Sequence, residues 1–155
     1  MNEDLVGRAA HLDGIRQKAE ADMAAIGIDQ ALIDRLVDRF YGRIRSHGRL
    51  GPVFNDRLQD RWDDHLGKMK RFWGAIAFKS GAYGGKPVQA HMGIDGMQQA
   101  LFEDWLALFR KTLEDTVPEE KARQWFLATA ERIAKSLILS LFYNPAMDDP
   151  TLKRP

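Results

Sequence analysis

In the stretch WDDHLGKMKRFW, residues 62 to 73, Trp62, His65, Met69, Phe72 and Trp73 recur at helical spacing and Ile76 extends the row, so the His65 imidazole faces inward among bulky apolar groups. His91 follows 26 residues later, in a segment punctuated by glycine. Taken singly, His65 reads as a core histidine bonded to a backbone carbonyl and His91 as an ordinary loop histidine. Taken together, two inward imidazoles with a pliable connector could approach opposite faces of one planar cofactor held between a helix and a loop. Haem is such a cofactor: one histidine nitrogen takes an axial position, and the polarity of the other face decides which ligand binds there.

Other chemistries fall away on inspection. There is no cysteine, so thiolate nucleophiles, disulfides, iron–sulfur clusters and the common structural zinc sites are excluded together. HExxH, Walker, GxGxxG and GxSxG patterns are missing. A di-iron bundle needs Glu three residues before His, but Arg8, Ile44, Trp62 and Val88 stand there. A metal-dependent hydrolase using His65, His91 and Asp63 or Asp64 is disfavoured, because those aspartates point away from the histidine face. His11 lies in a polar stretch and His47 at a helix end, where a partly charged imidazole meets the helix dipole, and both read as solvated.

The elements that must position these side chains are helical, since the 3.6-residue period recurs and period-two alternation does not; the expected fold is all-α. Residues 12 to 26 read as a short leading helix ending at Gly27. Asp29 is placed to cap a second helix that runs to about Gly48, with Leu32, Ile33, Leu36, Val37, Phe40, Tyr41 and Ile44 as its apolar stripe. RLGPVFNDRL reads as a compact turn region, a third helix spans about Asp60 to Phe78, and residues 79 to 96 read as loop with one helical turn. A helix from about Asp95 to Glu114 presents Leu101, Phe102, Trp105, Leu108, Phe109 and Leu113, TVPE reads as a capping box, and the last helix reaches about Tyr143. The expected division is residues 1–28 as an extension, 29–144 as the domain and 145–155 as a loose tail.

With 155 residues and 45% apolar content the chain can build one core, and its net charge of +1 is spread along the sequence. That excludes an electrostatic case for nucleic acid or an anionic membrane. No apolar run approaches the ~18 residues of a membrane span, and the N-terminus lacks signal-peptide character, so the cytoplasm is the expected location.

From about residue 30 to residue 143 the sequence resembles the truncated haemoglobins, third group. FYGRIRSHGRLGPVF (40–54), WDDHLGKMKRFW (62–73), YGGKPVQAH (83–91) and FEDWLALF (102–109) carry the resemblance, in that order. It implies a compact two-over-two helical globin with haem b as cofactor. By position it puts His91 on the iron ligand, Tyr41, His65 and Trp105 on the distal ligand-binding side, Phe54, Met69, Phe72 and Trp73 on the haem-lining positions, and Lys68 where a basic group can pair with a propionate.

Such a protein would bind dioxygen, nitric oxide or carbon monoxide. Enzyme status stays open: peroxidase-like chemistry or nitric oxide dioxygenation would need an external reductase, because no flavin or nicotinamide motif is present. A monomer or weak homo-oligomer is expected. The competing reading is a cofactor-free helical module whose aromatic stripe docks partner proteins.

Overall fold

Asp29 opens the helix around which the rest assembles: in extended conformation, it accepts the Leu32 N–H at 2.8 Å through Oδ1. In the computed structural model, which describes residues 3–81, 85, 87–94 and 96–142, seven helices and no strand occur among the described residues. They are α1 (Glu3–Ala25), α2 (Gln30–Ser46), α3 (Leu50–Leu58), α4 (Trp62–Phe78), α5 (Pro87–His91), α6 (Gln99–Thr116) and α7 (Glu120–Phe142). None of the helices is long and apolar enough to cross a membrane.

All seven stripe residues of α2 are buried. This face packs on α4 and α6, and α6 packs on α7, so the described helices form an all-α fold built around α2 and α6. At its centre Phe40, Phe109 and Phe126 are fully buried, with Trp73 stacked 5.6 Å from Phe109. Arg43 ties α2 to α6 through Thr112 Oγ1 (3.2 Å) and Asp115 (2.6 Å), and this bond holds the Asp115 carboxyl below its usual range.

Four local readings need correction. The leading helix starts at Glu3 rather than residue 12 and is 23 residues long. Glu3 and Asp4 in its first turn complement the helix dipole, and its alanines sustain helix even where almost no face is buried. It ends as expected, with Gly27 at φ +90° and a Schellman pair, Ile28 N–H to Met23 O and Gly27 N–H to Ala24 O.

RLGPVFNDRL is not a turn but contains α3. Gly51 and Pro52 fall in its first turn, where a missing N–H costs nothing. Gly51 is required there for space: a Cβ would sit 2.8 Å from the Arg45 carbonyl oxygen and 3.2 Å from that of Ile44. Gly51→Ala is expected to destabilise the fold by ~1–3 kcal/mol, read as a lower urea midpoint at unchanged slope.

The TVPE segment forms no capping box. Thr116 ends α6 and its buried Oγ1 has no partner, while the Glu119 carbonyl accepts the Arg123 N–H and so begins α7. Finally, α6 starts at Gln99, four residues later than expected, after Gly96 at φ +80°. The single helical turn expected in residues 79–96 is α5. Tyr83, Gly84 and Lys86 of the third motif, Asp95, Tyr143 and the tail 145–155 lie outside the described residues.

Candidate functional site

His65 stands in the first turns of α4, its N–H bonded to the Arg61 carbonyl at 3.1 Å. Its ring is enclosed by three aromatic rings: Tyr41 of α2 at 4.8 Å between centroids, Trp62 at 6.1 Å and Phe54 of α3 at 6.2 Å, all roughly edge-on. Inside this enclosure Nε2 is buried and has no hydrogen-bond partner. A core histidine bonded to a carbonyl through that atom is therefore not what the fold builds. Leaving such a nitrogen dry costs ~1–3 kcal/mol, an energy that a ligand beside it would recover.

Burial, then the charges of His91 and Lys68, push the His65 pKa down from 6.5 to about 4. The sign of the pH effect follows: the fold accepts neutral His65, so its stabilising contribution is complete above pH 6.5 and is lost as pH falls toward 4. At about 1.4 kcal/mol per pK unit this amounts to roughly 3 kcal/mol. In the cofactor-free chain, His65→Leu is expected to lose less stability than the parent between about pH 7.5 and about pH 4.5, by comparison of urea midpoints.

His91 closes the short α5, and its Nδ1 lies 2.6 Å from the Pro87 carbonyl oxygen. A carbonyl only accepts, so Nδ1 carries the hydrogen and donates it. In the neutral ring Nε2 then keeps its lone pair, the form a metal ligand needs, with the orientation set by an outer hydrogen bond. The half-buried ring faces Phe102 of α6 at 6.5 Å, and α5 rests on α7.

Tyr41 is buried and Trp105 half-buried, and Phe40 touches both, at 5.1 Å and 5.5 Å. Trp105 also stacks on Phe109, 5.5 Å away with rings 3° from parallel. Phe54, Met69 and Phe72 are half-buried against the core, and Lys68 is exposed one turn beyond His65. Trp73 goes elsewhere: it is buried between Phe109, Trp125 and Phe126 and belongs to the central core. Among the described residues no group of three or more His, Asp or Glu side chains is arranged to hold a metal.

Three participants escaped the sequence reading. Trp62 was placed on the inner face without a role, yet its Nε1–H donates to Asn55 Oδ1 at 3.1 Å, Arg45 sits 4.8 Å from its ring, and Phe54 stacks on it at 6.2 Å. His47 is half-buried rather than solvated, and its Nδ1 accepts the N–H groups of Leu50 (3.1 Å) and Arg49 (3.2 Å). It caps the start of α3, so its role is that of a hydrogen-bond acceptor for the next helix. Arg49 pairs with Asp104 on α6, one residue before Trp105. Trp62 was detectable from its i−3 spacing to His65, whereas no local pattern signals a contact across 55 residues.

No protein-family model matches the sequence. The group 3 truncated hemoglobin ctb of Campylobacter jejuni subsp. jejuni is 33% identical over 110 residues, covering 69% of this chain and 86% of that protein. The crystal structure of group III truncated hemoglobin from Campylobacter jejuni superposes with a TM-score of 0.70 at 31% identity, over 74% of this chain and 92% of that one. Identity at this level, sustained over most of both chains and matched by the helical frame around His65 and His91, places the chain in the group 3 truncated haemoglobins.

Proposed function

We propose that the protein holds haem b between His91 and His65 and reversibly binds a diatomic gas on the His65 side. The observation that carries this reading is the buried, unpartnered Nε2 of His65 inside an aromatic enclosure, together with a second imidazole whose Nδ1–H is already committed. These residues fit the group that the family implies: one imidazole with a lone pair to give, one polar atom awaiting a ligand, and flat apolar side chains around the latter.

When bound, haem would be held by His91 and would supply an iron able to take up a diatomic gas. The protein's own atoms do the rest. Nε2 of His91 would hold the iron, with the tautomer and ring plane fixed by Pro87 O. Tyr41 O–H and Trp105 N–H donate to a partly negative diatomic ligand, and neutral His65 guards its approach. Phe54, Met69 and Phe72 exclude water, and Lys68 pairs with a propionate. Trp73 contributes indirectly, by fixing α4 against α6 and α7.

Two strong donors make release slow. That favours ligand trapping, sensing or redox detoxification, the last with an external reductase, over bulk oxygen delivery. Titration of the purified chain with haem should give a Soret band saturating at one haem per chain, and the reduced form without gas should have a five-coordinate spectrum. A chain that takes up no haem would overturn the proposal and leave a helical interaction module.

A further inference from the structure

We propose that the Arg49–Asp104 ion pair is a latch that holds α3 over the distal compartment and sets how fast a gas ligand enters and leaves. The inference rests on the haem reading above and adds a gate to it. Its parts lie outside the distal residues already described.

α3 is a nine-residue helix that supplies one wall of the enclosure, through Phe54 against Tyr41 (6.0 Å), Trp62 and His65. Asn55 fastens its second half, to Trp62 and to the Arg45 carbonyl at 3.4 Å. Its first half is capped by His47 of the preceding turn, but only Arg49 reaches across from that end to α6 with a charged contact among the described residues. The far end of that contact is Asp104, immediately before Trp105.

The two partners are unequal. The Asp104 side chain is 13% exposed and its Oδ2 is buried without a partner, whereas Arg49 is 68% exposed. When the pair opens, Arg49 regains water, but Asp104 loses its one charged partner in a place water scarcely reaches. The closed state is therefore held by the carboxylate's need, while solvent and salt have access to the arginine. A latch weakened on the arginine side releases α3 without disturbing the apolar core.

A gate has a kinetic signature that a ligand-stabilising donor lacks. Opening it speeds entry and escape together and leaves the equilibrium nearly unchanged, because closed and open forms are the same on both sides of the binding step. In the haem-loaded chain, Arg49→Gln and Asp104→Asn are expected to raise carbon monoxide association and dissociation rates together, about three- to tenfold, with Kd changed by less than about twofold. High salt should accelerate the parent and not Arg49→Gln. The charge-reversed double variant Arg49→Asp with Asp104→Arg should return both rates toward those of the parent.

Amide hydrogen exchange provides a readout independent of bound haem: the N–H groups of residues 50–58 should exchange faster in Arg49→Gln, with or without haem, while those of α7 keep their protection. Normal exchange in α3 together with parental carbon monoxide rates would overturn the latch and leave the haem proposal standing. A change in dissociation alone would also overturn it, by assigning the pair to Trp105 placement. An absent Soret band with faster α3 exchange in Arg49→Gln would sink the haem reading while retaining the latch as a tether.

Discussion

Replacing Tyr41 with phenylalanine is expected to speed oxygen dissociation from the haem-loaded protein by about ten- to hundredfold. A hydrogen bond to a charged acceptor contributes ~1.5–3 kcal/mol, and each 1.4 kcal/mol is a factor of ten. The ring stays in place: Phe40, Phe54, Trp62 and His65 surround it, so the substitution removes the hydroxyl and little else. Association should barely change, which separates this residue from the proposed latch. Trp105→Phe should act in the same direction, and the double variant should fall short of the product of the two effects, because both donors serve one acceptor. Stopped-flow displacement of oxygen by carbon monoxide measures all three, and equal rates in parent and double variant would remove both donors from the account.

The second large effect concerns His91. Its replacement by glycine is expected to weaken haem retention by more than about 100-fold, because disturbing only the outer hydrogen bond of a ligating histidine already costs 10- to 100-fold. The outer bond can be probed separately. Pro87 cannot lose its carbonyl by substitution, but His91→Gly with free imidazole supplies the ring without the tether. Imidazole should restore the Soret band while leaving haem faster to exchange than in the parent. Haem transfer to an acceptor globin measures both, and unchanged retention in His91→Gly would contradict the assignment.

Much of this arrangement was readable in the sequence because it is carried by local periodicity. The buried face of α2 follows from a stripe of seven residues, and the inward position of His65 follows from its spacing to Trp62, Met69 and Phe72. Asp29 and Gly27 act as punctuation because an N-cap and a left-handed C-cap are single-residue events. The reading failed where two segments approach each other. Gly51 and Pro52 look like breakers in isolation, yet Gly51 is small because the end of α2 passes over it, and Pro52 is harmless in a first turn. His47 looks like the end of one helix and is in fact the cap of the next.

The site divides in the same way. His65 and His91 stand out by residue type and by their inward or glycine-bounded settings. Trp73 shares the inner face of α4 with His65, but the helix twist carries it into the core against Phe109, which spacing alone does not resolve. The Arg49–Asp104 pair was invisible, since both residues look like solvated surface charges until α3 and α6 are brought together. The unpartnered Nε2 of His65 is likewise a property of packing: its enclosure comes from α2, α3 and α4 at once.

The central claim is that His91 coordinates iron through Nε2 while its Nδ1–H is held by Pro87 O. Proton NMR of the haem-loaded ferrous protein tests it most directly, since a ring N–H on the coordinating imidazole gives an exchangeable resonance shifted far outside the diamagnetic range. The account predicts one such resonance, slow to exchange with solvent, present in the parent and in His65→Leu and absent in His91→Gly. Its survival in His91→Gly, or its loss in His65→Leu alone, would contradict the account.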